Sequence, residues 1–293
     1  LSKWAISYKD DIINNIMPFW MKYGLDREHG GVYTCVNRDG SLMDTTKSVW
    51  FQGRFGFIAA YAYNNIEKNP QWLAASKSCI DFIEAHCFDT DGHMFFEVTE
   101  DGKPLRKRRY VFSEGFAAIA MAEYALATGE KEYAKKALDI FKRTLHFLNA
   151  PGFLEPKYLP TLPSRGHSIT MILINTASRI RMVIDDPSLT EQIDTSIAAL
   201  RKYFIHPEFK ALLEMVGPDG EFIDTCNGRV INPGHCIETA WFIMEEAKYR
   251  NWDKDLLQLA LQILDWSWEW GWDKEFGGMI NFRDCRILAV QDY

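Results

Sequence analysis

The chain has 293 residues, of which 47% are hydrophobic and 14% aromatic, and its formal net charge is -7. That is enough apolar side chain for a large core, so the composition excludes a disordered or fibrous chain and predicts one large domain over 1–293, or two close-packed ones. The acidic balance gives no basic field for phosphate backbones or anionic lipid, which points away from nucleic acid and membrane and toward a neutral or modestly charged small molecule.

Helical periodicity recurs along the whole chain, and the spacing predicts nine helical stretches, at 3–22, 46–66, 70–86, 113–128, 131–149, 168–184, 188–205, 233–249 and 254–271. Short turns alternate with longer excursions, a repeat with a period of two helices. The excursions share an acidic turn followed by glycine and apolar residues, at Asp26 to Tyr33, Asp89 to Phe96 and Asp273 to Ile280, with a fainter copy at Gly217 to Gly220. Glycine after aspartate suits positive-φ turn positions, so each copy predicts a small hairpin. Helix pairs repeated in this way close into a double ring or stack as an open solenoid. Closure is the expectation, because helices such as the one bearing Trp50, Phe51, Phe55, Phe57 and Tyr61 are apolar over most of their circumference.

The six cysteines, Cys35, Cys79, Cys87, Cys226, Cys236 and Cys285, form no CxxC pair and read as reduced thiols of a cytoplasmic protein without a cysteine zinc site. The first residues lack the apolar core of a signal peptide, and no apolar run approaches the ~18 residues of a membrane span. Walker, GxGxxG, HExxH and GxSxG motifs are all missing from the sequence.

Chemistry concentrates in Asn232-Pro233-Gly234-His235-Cys236-Ile237-Glu238-Thr239-Ala240-Trp241. Asn232 is a natural N-cap and Pro233 a natural first helical residue, which places His235 in the first turn. There the positive end of the helix dipole disfavours imidazolium and keeps the ring able to accept a proton. Glu238, three residues on, projects beside His235 as an orienting carboxylate, and Trp241 offers a sugar-stacking ring. A second polar interruption of an apolar helix is Gln52 and Arg54 after Trp50. Arg54 either pairs internally, with Glu114 or Glu238, or faces a wet cavity and holds an oxygen that gains charge as an enolate forms. His167, before a helix, could line a cavity, but no neighbour at a defined spacing partners it. The other histidines, in turns and near helix ends, read as structural or solvated. The basic run from Lys103 to Arg109 reads as a solvated strand and turn, with an anionic effector as the alternative.

Together these segments resemble the N-acylglucosamine 2-epimerase family. The motifs that carry the resemblance are Asp26-Arg27-Glu28-His29-Gly30-Gly31 with Thr34-Cys35, Val49-Trp50 with Gln52-Gly53-Arg54, Phe112-Ser113-Glu114, and Asn232-Pro233-Gly234-His235 with Glu238 and Trp241-Phe242. The resemblance implies an all-α (α/α)6 barrel of twelve helices, often dimeric, that interconverts N-acetylglucosamine and N-acetylmannosamine through the open-chain sugar. It implies His235 as one of two catalytic histidines, Glu238 as its support and Arg54 on the reacting oxygens. Trp50, Gln52, Glu114, Met171, Asn232 and Trp241 are the expected substrate-binding set. That chemistry calls for no metal or redox cofactor, and ATP is implied as an activator that is not consumed. Nine helices against twelve leave three unaccounted for, about 90 residues at ordinary lengths, so the barrel is expected to be incomplete at its C-terminal end, with the second histidine and a further carboxylate beyond Tyr293. Relatives that act on cellobiose, mannose or sulfoquinovose carry a histidine where this chain has Met171, which favours the N-acylhexosamine branch. The alternatives are a cellobiose 2-epimerase or aldose-ketose isomerase, an inverting (α/α)6-barrel glycoside hydrolase using Glu114 and Glu238, and a non-enzymatic interaction scaffold.

Overall fold

The computed structural model describes residues 2–108 and 110–288. The nine expected helical stretches are all present among them. The first is α1 (Ser2–Asp11), a π-helical turn (Ile12–Ile16) and α2 (Met17–Tyr23) in succession. Then follow α3 (Val49–Asn65), α4 (Pro70–His86), α5 (Phe112–Thr128), α6 (Lys131–Asn149), α7 (His167–Arg181), α8 (Pro187–Ala199), α9 (Pro233–Tyr249) and α10 (Lys254–Gly271). The second stretch starts later than periodicity predicts because Lys47 and Ser48 pair with Val98 and Glu97 as a strand. The seventh ends in a π-helical turn at Leu200–Phe204. No helix among the described residues is long and apolar enough to cross a membrane, and all six cysteines are free thiols.

Helix starts follow the sequence chemistry. Asn69, Asp186 and Asn232 each cap with a side-chain oxygen ahead of a proline at the start of α4, α8 and α9. The acidic turns close as expected. Isolated bridges join Leu25 to Val32, Phe88 to Met94 and Trp272 to Met279. In the first and third copies the aspartate accepts two backbone N–H groups, those of Glu28 and His29 for Asp26 and those of Glu275 and Phe276 for Asp273. Gly31 (φ 72°) and Gly278 (φ 88°) then take the left-handed positions that any other residue would strain.

The chain divides into two compact units, one running to Glu155 and including Arg179–Asp185, the other comprising Pro156–Ser178 and the residues from Asp186 onward. In the first unit α3 packs on α4 and α5, and α5 on α6. α5 is buried without interruption from Ser113 to Ala125, whereas α6 buries one face, through Tyr133, Ala134, Ala137, Leu138 and Phe141 among others. α3, apolar over most of its circumference, leaves Phe51 and Ile58 exposed.

Two devices hold this unit together. Lys47, 0% exposed, places its ammonium 2.7 Å from Asp26 Oδ2 and donates to the carbonyls of Gly30 and Glu100, so all three donors are used and three segments are tied to one charge. Burial alone would raise the Asp26 carboxyl, but Lys47 and the N–H groups of His29 and Glu28 overcome it and hold the group below its ordinary range. The other device is Gly53, where an added Cβ would lie 2.6 Å from the Phe116 carbonyl carbon. Alanine at this position gains about 1 kcal/mol of helix propensity, but the obstacle is backbone, and overpacking costs about 1–3 kcal/mol or more. Gly53→Ala is therefore expected to lower the urea midpoint of unfolding, and a midpoint above wild type would contradict the close packing of α3 on α5.

Candidate active site

Short strands bring three distant side chains together in the second unit. Arg165–Gly166 pairs antiparallel with Met215–Val216, the His167 N–H donates to the Glu214 carbonyl, and the Glu214 N–H donates to the Val230 carbonyl. Val230–Ile231 runs directly into the Asn232 cap. Glu214 therefore lies between the first turns of α7 and α9, each of which begins with a histidine nearby.

His235 sits where its sequence predicts, with its N–H donating to Asn232 Oδ1 at 3.1 Å. Its side chain is 40% exposed, and its Nδ1 lies 2.8 Å from Glu214 Oε1. This corrects the expected orienting carboxylate: the group on Nδ1 is Glu214, brought from 21 residues away by strand pairing, rather than Glu238 on the same helix. Burial pushes the Glu214 carboxyl up, but the neighbouring His167 and His235 rings outweigh it and bring the group down to about 2, so it is an anion at neutral pH. A carboxylate only accepts, so the His235 proton resides on Nδ1 and the ring's lone pair on Nε2, the tautomer of a base poised to take a proton. His167 is fully buried, with Nε2 at 2.9 Å from Thr239 Oγ1 and Nδ1 at 3.5 Å from Glu214 Oε1. The ligand-type atoms of His167, Glu214 and His235 all lie within 4.8 Å of one another, a spacing that could hold a metal ion.

The other expected site residues divide into three groups. On α9, Glu238 is partly buried and Trp241 is 45% exposed beside Phe242. On α7, Met171 is only 4% exposed. In the first unit, Arg54 is exposed with its guanidinium 4.4 Å from the Phe116 ring centre, and Trp50 packs edgewise on Phe96 and Phe116 and obliquely on Phe112. The internal ion-pair alternative for Arg54 is not met by Glu114, whose ion-pair partner among the described residues is His93.

Gln52 and Glu114 turn out to be braces. The Gln52 amide, 0% exposed, donates to the Val32 carbonyl and accepts from the Val32 N–H. Glu114, 1% exposed, binds His93 Nδ1 at 2.5 Å and accepts from the Met94 N–H at 2.7 Å. Burial would lower the His93 pKa, but its contact with Glu114 raises it above the ordinary value. Both side chains hold hairpin backbone, which removes them from the substrate-binding set and removes Glu114 as a hydrolase acid. In the basic run, Lys107 is neutralised by Asp89 and Asp91, and Arg106 lies 3.6 Å from Glu97. Arg109, at the end of that run, lies outside the described residues.

Sequence reasoning left Glu214 unnoticed and gave His167 no partner. The signal for Glu214 was a lone carboxylate inside the apolar run Leu212-Leu213-Glu214-Met215-Val216, which is costly to bury unless something answers it.

The family model for N-acylglucosamine 2-epimerase (GlcNAc 2-epimerase) matches residues 31–292. The N-acylglucosamine 2-epimerase of Rattus norvegicus is 29% identical over 286 residues, covering 94% of this chain and 68% of the relative. A cellobiose 2-epimerase of Dictyoglomus turgidum is 22% identical over 290 residues, covering 88% of this chain and 71% of that one. In three dimensions the cellobiose 2-epimerase of Bacillus thermoamylovorans superposes with a TM-score of 0.84 at 20% identity, over 97% of this chain and 76% of that chain. The largely helical architecture is consistent with an α/α-toroid-like fold.

Proposed function

This chain belongs to the N-acylglucosamine 2-epimerase family, and on that footing we propose that it interconverts N-acetylglucosamine and N-acetylmannosamine by proton transfer at C2 of the open-chain sugar. Family membership makes it an isomerase-type enzyme, within a superfamily of sugar epimerases and isomerases. The observation that carries the finer reading is the Glu214-held Nδ1 of His235, which presents Nε2 as the proton acceptor at the start of α9.

The C2 proton is acidic only because C1 is an aldehyde in the open-chain form. His235 removes that proton, the electrons move into an enolate, and a proton delivered to the opposite face of C2 inverts the centre. As His235 becomes imidazolium, the Glu214 anion beside it stabilises the new charge. The second face needs its own acid/base group. The family resemblance implies Arg54, with its five fixed guanidinium donors, on the reacting oxygens, and Trp50 in the substrate-binding set. The N-acylhexosamine branch is supported by the higher identity to the rat N-acylglucosamine 2-epimerase than to the Dictyoglomus cellobiose 2-epimerase. Met171 also favours it, because a thioether can neither donate nor shuttle a proton between C1 and C2.

Side-by-side assays of the natural full-length protein test this. Turnover of N-acetylglucosamine and N-acetylmannosamine is expected to exceed that of cellobiose and of mannose. Faster turnover of cellobiose or mannose would place the protein in another branch.

A further inference from the structure

Hydrogen-bond direction around His167 leaves one buried atom unanswered. Thr239 donates its single hydroxyl proton to the His235 carbonyl at 2.8 Å. Its oxygen therefore accepts from His167 Nε2 at 2.9 Å, which puts the His167 lone pair on Nδ1. That Nδ1 has no hydrogen-bond partner, belongs to a ring with 0% exposure, and faces the Glu214 carboxylate from 3.5 Å. A lone pair set against an anion in a buried place calls for a positive charge between them.

We propose that His167, Glu214 and His235 form a His2Glu site for a divalent cation of the zinc class. Two imidazoles and a carboxylate suit zinc or cobalt, whereas magnesium and calcium prefer oxygen ligands throughout. Metal bonds of about 2.0–2.2 Å in tetrahedral directions set the donors roughly 3.3 Å apart. The His167–Glu214 pair at 3.5 Å already has that spacing, and the His235–Glu214 pair at 2.8 Å has to open by only a few tenths of an ångström. The exposed side of His235 leaves room for a fourth ligand from solvent. When the cation takes Nδ1 of His235, the displaced ring proton moves to Nε2. The ring then has no nitrogen able to accept a proton, so the ion shuts off the base. That consequence rests on the proposed function, whereas the binding itself does not.

Cobalt(II) titrated into chelator-treated protein tests the site by its visible absorption, without any need for turnover. One equivalent is expected to give the bands of a nitrogen- and oxygen-ligated ion of low coordination number, lost on adding zinc and unchanged by magnesium. His235→Gln, at an exposed position, and His167→Gln should each weaken cobalt binding by at least about tenfold. Cys35→Ser, which removes an exposed thiol outside the cluster, should leave binding as it was. In the same preparations zinc should abolish epimerisation, less effectively as the pH falls and protons compete for the imidazoles. No stoichiometric cobalt band, or a band that His235→Gln leaves intact, would overturn the proposal and leave a proton as the charge between His167 and Glu214. An inactive protein that still binds cobalt through these residues would sustain the site while sinking the assigned reaction.

Discussion

His235→Ala is expected to lower kcat/KM for either N-acetylhexosamine by about a thousandfold, within the range of roughly 10²- to 10⁴-fold that a positioned acid/base contributes. A thousandfold corresponds to about 4 kcal/mol of transition-state stabilisation. The fold should survive, because the side chain is 40% exposed and the helix start depends on Asn232 accepting from the backbone N–H of residue 235, which alanine retains. Circular dichroism and turnover are the measurements. A folded variant within tenfold of wild type would take His235 out of the mechanism.

Glu214→Gln is expected to be almost as damaging, roughly 10²- to 10⁴-fold in kcat, with KM little changed. The carboxylate does two things for His235: it fixes the proton on Nδ1 and it stabilises the imidazolium formed when C2 is deprotonated. An amide can offer its NH2 to Nδ1, which drives the proton to Nε2 and removes the acceptor. Glu214 is a positioning residue, so the pH profile carries the decisive information. Loss of the anion disfavours imidazolium, and the acidic limb of the kcat/KM profile should move to lower pH. Wild-type Glu214, held down to about 2, stays ionised through the neutral and mildly acidic range, and its contribution disappears only as the pH falls toward that value. A profile of unchanged shape with raised KM would make Glu214 a merely structural group.

Much of the fold is legible in the sequence because its signals are local. Apolar periodicity marks the helices, asparagine or aspartate before proline marks their starts, and aspartate followed by glycine marks the hairpins. The site is legible only where it is local too. Asn232, Pro233 and His235 lie in one cap, so spacing alone places the histidine in a first turn. Glu214 reaches His235 through the pairing of residues 165–166 with 215–216 and through the Val230 strand, which no spacing along one helix could indicate. Glu238 looked like the partner because helical neighbours are the only contacts a sequence displays directly. Gln52 and Glu114 teach the complementary lesson. A polar side chain in an apolar helix needs a partner, but the sequence does not say whether that partner is a sugar or, as here, the backbone of Val32 and of Met94.

Proton transfer at C2 by His235 is tested most directly by running the reaction on N-acetylglucosamine in D2O and following C2 by NMR. The account predicts that N-acetylmannosamine forms with deuterium at C2, and that both exchange and epimerisation collapse together in His235→Ala. N-acetylmannosamine that retains the original protium at C2 would contradict it, because the centre would then have been inverted without passing through an enolate open to solvent-derived protons.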